Sequence, residues 1–179
     1  MQERFQRGGF YTDRKAMWQV SRNPEPYARL IERAMKQHPL RSPLYNAPTS
    51  LLRALIARMP SMAVEDRRYV AEIMTMSGDP YLAGKIEPEV LAMLQDSDPQ
   101  VANRAAMLVV AEPASAPPSV LNLAEFGDGP GRRMATKAII WRQTRTDREQ
   151  RIIYRNAQSD DSALRKMCAM AIQDEKSEP

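Results

Sequence analysis

The sequence predicts an all-α fold. Apolar residues recur at spacings of three and four along most of the chain, which is the period of an amphipathic helix. β-Branched residues are sparse, and no run alternates with the period of two that a half-buried strand requires. Fourteen prolines punctuate the 179 residues, and because proline ends helices, they divide the chain into short ones.

Nine segments carry the helical period between these boundaries. They are 26–37, 50–59, 63–77, 88–95, 99–111, 120–126, 132–143, 147–156 and 161–173. Three of the starts have capping signatures. Asp98 precedes a proline at the first helical position, and Thr146 and Glu149 have the spacing of a capping box. The third start follows Ser-Asp-Asp-Ser at 159–162, which also supplies caps.

Composition limits the chemistry that the chain can perform. The single cysteine, Cys168, excludes an internal disulfide and a cysteine-based zinc site, and it suits a reducing compartment, so we expect the cytoplasm. The single histidine, His38, precedes Pro39 at the end of a predicted helix, where a structural role is the commoner one. We therefore predict no catalytic set, no metal site, no cofactor and no transmembrane helix.

Charge is distributed in blocks of alternating sign. Residues 1–58 carry a net charge of +7, residues 59–129 carry −7, residues 130–156 carry +6, and the remainder carries −2. Blocks of this kind predict a surface divided into charged zones, which steer binding partners more than they determine a fold.

The last three helix pairs can be superposed as repeating units. Counted from Val101, Gly131 and Leu164, the residues at offsets 4, 5, 7 and 8 are mostly small or apolar. They are Ala105, Ala106, Leu108 and Val109; Ala135, Thr136, Ala138 and Ile139; and Cys168, Ala169, Ala171 and Ile172. The middle unit departs by having glycine at its first position and Thr136 at offset 5. Small residues at these offsets would let neighbouring helices approach closely.

The stretches "DSDPQVANRAAMLV" and "DDSALRKMCAMAI" resemble the Asp-rich turn and second helix of HEAT and armadillo repeats. The resemblance covers roughly residues 61–175. It implies a short right-handed α-solenoid of about four helix hairpins, with a weaker unit near Arg67. We accordingly divide the chain into a basic N-terminal arm with the first helix, 1–49, and a HEAT-like repeat domain, 50–179. An irregular helical bundle is the alternative fold.

Repeat geometry places the second helix of each hairpin on a concave surface, which the resemblance implies is used to bind other proteins. The basic residues expected to contact a partner there are Arg104, Arg132, Arg133 and Arg165.

A row of arginines extends this predicted site. Its members are Arg142, Arg145, Arg148, Arg151 and Arg155, with Trp141 beside them. Spacings of three and four place arginines along one helical stripe, which could bind acidic groups or phosphates. A solvated outer face is the simpler interpretation of the same spacing.

These observations predict a non-enzymatic protein–protein interaction or scaffold module that binds a protein or peptide, with an acidic partner favoured by the arginines. The alternative is a nucleic-acid-binding helical protein that uses the N-terminal arm and the row from Arg142 to Arg155. The arm interleaves basic and aromatic residues over 4–22, and its commoner role would be to cover the first hairpin.

Overall fold

The computed structural model describes the backbone of residues 14–37, 47–77 and 79–177, and the side chains of 17–33, 47–77 and 79–175. Within these ranges the chain forms α-helices and no strand, which confirms the all-α prediction. The first part of the predicted arm, and His38, lie outside the described residues. The described residues form two compact units that divide between Asp79 and Pro80, whereas the sequence-based boundary lies at 49/50.

The first unit contains four α-helices among its described residues. They are α1 (Arg14–Arg22), α2 (Glu25–Gln37), α3 (Thr49–Arg58) and α4 (Val64–Thr75), with a 3-10 turn at Met59–Ser61 between the last two. Helices α1, α2 and α4 all pack against α3. The interior of this unit is therefore built around the apolar face of α3, which buries Leu51, Leu52, Leu55 and Ile56.

Helix α1 is not predicted by the sequence analysis, although its nine residues include the apolar Ala16, Met17, Trp18 and Val20. One of these, Val20, is fully buried, so α1 is held by packing rather than by its composition. Arg58 adds a polar link at the end of α3. Its Nε donates to Glu32 Oε2 at 2.7 Å and its Nη1 donates to Glu25 Oε1 at 2.9 Å, which joins α3 to α2.

The second unit contains seven α-helices among its described residues. They are α5 (Leu82–Lys85), α6 (Glu87–Leu94), α7 (Pro99–Ala111), α8 (Pro118–Phe126), α9 (Gly129–Ile140), α10 (Asp147–Asn156) and α11 (Ser162–Ser177). The single-turn helix α5 is not predicted by the sequence. The others match predicted helices, with ends displaced by a few residues.

Helices α6 to α11 form three consecutive pairs, α6 with α7, α8 with α9 and α10 with α11, and the two members of each pair contact each other. The first helices α6, α8 and α10 touch in that order, and so do the second helices α7, α9 and α11. The residues at offsets 0, 4 and 7 of each second helix are buried. They are Val101, Ala105 and Leu108; Gly131, Ala135 and Ala138; and Leu164, Cys168 and Ala171. Small residues at these offsets thus lie where the helices of this unit meet.

The three predicted caps are present. Asp98 Oδ1 accepts hydrogen bonds from the amides of Gln100 and Val101 at 3.1 and 3.2 Å. Thr146 and Glu149 form a reciprocal capping box at the start of α10. At the start of α11, Asp161 Oδ1 accepts from the amides of Ala163 and Leu164. These carboxylates and hydroxyls satisfy amides that a helix start otherwise leaves without partners.

The departures of the middle unit from the repeat pattern have a structural cause. A Cβ on Gly131 would lie 2.7 Å from Gln95 Cγ, so glycine permits the close approach of α9 to the end of α6. The hydroxyl of Thr136 accepts a hydrogen bond from Asn156 Nδ2 at 2.9 Å. Asn156 is fully buried on α10, and an alanine in place of the threonine would remove this partner.

Candidate partner-binding surface

The second helices present large side chains at matched positions. The residue at offset 6 is Met107 on α7, Lys137 on α9 and Met170 on α11. Met107 is 49% exposed and Met170 is 54% exposed. Because α9 contacts both of its neighbours, these three positions mark one surface, which we call the second-helix surface.

Trp141 extends this surface from the end of α9. The indole is 44% exposed, and Lys137 Nζ lies 4.4 Å from the centroid of its ring, within the range of a cation–π contact. The same Nζ donates to Asn103 Oδ1 on α7 at 3.0 Å. Lys137 therefore links α7, α9 and Trp141, and it holds the indole at the surface.

A cavity of about 390 Å³ opens beside Trp141, where the ends of α9 and α11 meet the start of α10. It is lined by Ile140, Trp141, Arg142, Gln143, Arg145, Gln150, Ala171, Asp174 and Glu175. Three of these residues, Trp141, Arg142 and Arg145, are predicted site residues that the fold brings together. Asp174 lies four residues beyond Met170 on α11, so the cavity adjoins the second-helix surface.

Arg142 lies at the back of this cavity and is an interior residue. Its side chain is 2% exposed, and its Nε pairs with Glu149 Oε1 at 2.9 Å. Its Nη1 donates to the carbonyl oxygens of Val109 at 2.9 Å and Glu112 at 2.7 Å. Glu149 in turn accepts from the amide of Ala116 at 2.8 Å. This ion pair therefore ties the loop after α9 to the linker between α7 and α8.

Arg145 is also engaged within the protein. It forms an ion pair with Glu175 on α11, and its side chain is 16% exposed. Among the described residues, Asp174 has no ion-pair partner, although it lines the same cavity. The two arginines of the cavity are thus neutralised, and one carboxylate is left over.

The predicted row of five arginines is divided by the fold. Helix α10 begins at Asp147, so Arg142 and Arg145 lie before it and only three arginines share a helical stripe. Arg148 and Arg155 both pair with Glu125 on α8, at 3.1 and 3.3 Å.

The remaining member of that stripe, Arg151, is exposed, and it makes no ion pair with the described residues. Arg155 also lies 5.2 Å from the ring of Phe126. The stripe is therefore a junction between α8 and α10, and within the described part of the chain Arg151 is its one arginine without an ion-pair partner.

The basic residues predicted on the second helices have different surroundings. Arg132 donates to Asn156 Oδ1 at 2.7 Å and to a carbonyl oxygen of α8, so it acts within the unit. Arg133 pairs with Asp161 at 2.7 Å and stays 47% exposed. Arg165 donates to a backbone oxygen before α11 and is exposed, and Arg104 is half-buried. Arg104, Arg133 and Arg165 remain accessible on these helices.

Sequence reasoning missed Met107, Lys137 and Met170 as surface residues. The register used to predict the buried offsets also contains them, because offset 6 lies about 100° or more around the helical wheel from the buried offsets 0, 4 and 7 and therefore points outward. The signal for this surface was the presence of two methionines, Met107 and Met170, at an outward position that a solvated helix usually fills with a polar side chain.

No other chemistry is evident in the described part of the chain. Cys168 is buried, and burial raises the pKa of its thiol to about 11, which disfavours the reactive thiolate. Among the described residues there is no group of three or more His, Cys, Asp or Glu side chains that could hold a metal ion.

No described helix combines the length and the apolarity that crossing a membrane requires.

Comparison of this chain with protein-family models, with curated proteins and with solved structures found no match.

Proposed function

We propose that this protein is a non-enzymatic interaction module that binds a partner protein or peptide on the second-helix surface. The observation that carries the proposal is the exposure of Met107, Trp141 and Met170 on helices that contact one another in order. Large apolar side chains grouped on a surface are typical of sites that another protein covers. Methionine and tryptophan suit this role, since methionine adapts its shape and tryptophan is enriched among residues that dominate binding energy.

The proposed architecture is a short right-handed α-solenoid similar to HEAT and armadillo repeats. The ordered contacts among α6, α8 and α10, and among α7, α9 and α11, support it. Burial at the same three offsets of each second helix supports it as well. Within the first unit, helices α3 and α4 would form one further, weaker hairpin. Repeats of this kind offer extended surfaces for partners.

We propose that the partner is acidic at the edge that meets the second helices. Arg104 lies on α7, Arg133 and Lys137 lie on α9, and the exposed Arg165 and Lys166 lie on α11. Positive charge around an apolar surface favours a partner with carboxylates at its edge, because complementary charge accelerates association and excludes wrong partners. The cytoplasmic location expected from the single cysteine is part of the same proposal.

The arginine stripe on α10 gives less support to nucleic-acid binding. Glu125 already pairs with Arg148 and Arg155, so Arg151 is the member of the stripe that makes no ion pair within the described residues and could contact a phosphate. Nucleic-acid binding through this stripe would weaken linearly in a plot of log affinity against log salt, with a slope of about −0.9 per phosphate contact on duplex DNA. A steep slope that Arg151→Glu reduces would favour this alternative over a protein partner.

Photo-crosslinking in the native cells tests the proposed surface directly. A photoreactive amino acid is placed at Met107 or at Met170. Tyr154 is the matched control position, because it is 49% exposed and lies on α10, the first helix of the third pair. We expect the two methionine positions to crosslink the same protein and Tyr154 not to crosslink it. Crosslinks from Tyr154 alone, or none from either methionine position, would contradict the proposal.

A further inference from the structure

We propose that the cavity beside Trp141 receives a basic side chain, an arginine or a lysine, from the bound partner. This inference rests on the proposed function and names the chemistry that one part of the surface recognises. Its basis is a side-chain-sized cavity that adjoins the second-helix surface and contains an exposed indole, two exposed amides and a carboxylate without an ion-pair partner among the described residues.

The cavity has the size of a site for a side chain. Its volume of about 390 Å³ lies near the lower end of the range of about 300–1,000 Å³ that is typical of ligand pockets. Trp141 belongs both to the cavity and to the second-helix surface, so a partner that covers Met170 passes the mouth of the cavity. A long side chain from that partner can enter without a change in the fold of this chain.

The charges in the cavity favour a cation. Arg142 is neutralised by Glu149 and Arg145 by Glu175. Asp174 is the remaining charge, and it has no ion-pair partner among the described residues. An anion in the cavity would meet this carboxylate and two arginines that each already form an ion pair, whereas a cation would gain an ion-pair partner.

The uncharged lining has groups that bind a guanidinium or an ammonium. The amide oxygens of Gln143 and Gln150 can accept hydrogen bonds, and both side chains are exposed and make no hydrogen bond within the described residues. The indole of Trp141 attracts cations through its π face, as its contact with Lys137 illustrates. Arginine suits this set better than lysine, because its planar group can stack and donate several hydrogen bonds at once.

Fluorescence of Trp141 provides the test. Trp18→Phe removes the other tryptophan, which is 57% exposed and lies in the first unit, and leaves Trp141 as the reporter. The full chain is titrated at constant ionic strength with N-acetyl-arginine amide and with N-acetyl-citrulline amide. Citrulline has nearly the same shape as arginine and carries no charge, so the pair isolates the contribution of the cation.

We expect saturable binding of the arginine compound in the millimolar range and about 2- to 5-fold weaker binding of the citrulline compound, the size of one exposed ion pair or cation–π contact. Asp174→Asn should abolish this preference. Asp160→Asn, which neutralises an exposed aspartate outside the cavity, should preserve it. Equal responses to the two compounds, or a preference that survives Asp174→Asn, would overturn the inference.

The outcome is separable from that of the proposed function. If Met107 and Met170 crosslink a partner while Trp141 shows no preference for arginine, the interaction surface stands and the cavity does not bind a basic side chain. If Trp141 prefers arginine while neither methionine position crosslinks a protein, the cavity binds cations and the proposed surface is wrong.

Discussion

Arg142 and Glu149 form an ion pair inside the second unit, with 2.9 Å between Nε and Oε1 and side chains that are 2% and 0% exposed. Each partner also satisfies backbone groups. Arg142 donates to the carbonyl oxygens of Val109 in the last turn of α7 and of Glu112 just after it, and Glu149 accepts from the amides of Ala116 and Thr146. The pair therefore closes the gap between the α7–α8 linker and the loop before α10.

Breaking this pair should destabilise the protein. Arg142→Met leaves a buried carboxylate and Glu149→Gln leaves a buried guanidinium, so we expect each to lower the free energy of unfolding by about 3 kcal/mol in urea titrations. The double variant should recover little, because the backbone groups lose their partners as well. Arg151→Met, at an exposed arginine that makes no ion pair with any described residue, should stay within about 0.5 kcal/mol of the wild type. A loss of only about 0.5 kcal/mol in the free energy of unfolding of Arg142→Met would refute the structural role of the ion pair.

The close approach at Gly131 predicts that Gly131→Ala lowers the free energy of unfolding in the wild type and raises it in a Gln95→Ala variant. Gly131→Ala should destabilise the wild type by about 1 kcal/mol, because its Cβ would meet Gln95 Cγ at 2.7 Å. In a Gln95→Ala background the obstructing atom is gone, and alanine should become the better residue by up to about 1 kcal/mol through its helix propensity. Thermal or urea unfolding of the four proteins measures both effects. Equal effects of Gly131→Ala in the two backgrounds would show that the contact is unimportant.

Asp161 predicts a loss of stability in acid. Its hydrogen bond from Arg133, and then those from the amides at the start of α11, hold the pKa of its carboxyl below the ordinary value of 3.8. A lowered folded pKa stabilises the protein above the unfolded pKa, and this contribution disappears as the pH falls through the folded pKa. Asp161→Asn should be less stable than the wild type near neutral pH, and the difference should shrink below pH 3.8. A difference that does not change with pH would assign the effect to the lost cap alone.

Cys168 predicts a loss of stability in alkali. Burial raises the pKa of its thiol from 9.0 to about 11, so between these values the folded protein holds a proton that the unfolded chain has released. The thiol's contribution to stability should therefore fall as the pH rises above 9. Unfolding measured from pH 8 to about pH 11, with Cys168→Ala as the control that lacks the group, checks this sign. A steeper alkaline decline in Cys168→Ala than in the wild type would contradict it.

The helices and the buried offsets were predictable because their signals are local. Prolines and capping residues fix where α7 and α10 begin, and the helical period identifies which residues of α7 face inward. Helix α1 escaped prediction because its stretch carries the mixture of basic and aromatic residues that is typical of an arm, and among its described side chains Val20 alone is buried.

The candidate site was less predictable, because its arginines form ion pairs and hydrogen bonds with residues that are distant in sequence. The partner of Arg148 and Arg155 is Glu125, more than twenty residues away on α8. Arg142 is buried because carbonyl oxygens at Val109 and Glu112 face it. Spacing alone shows that such arginines share a stripe, and it does not show which carboxylates or carbonyls the fold brings to them.

The affinity of the isolated partner for surface variants tests the central claim most directly. The double variant Met107→Asp with Met170→Asp places charge on the second-helix surface. The control variant Tyr154→Ser removes an aromatic side chain of similar exposure from α10, the first helix of the third pair. Calorimetry with the partner captured by crosslinking should give at least about 10-fold weaker binding for the double variant, a difference of about 1.4 kcal/mol. Tyr154→Ser should bind like the wild type. Unchanged affinity of the double variant, with its fold intact by circular dichroism, would contradict the assignment of this surface.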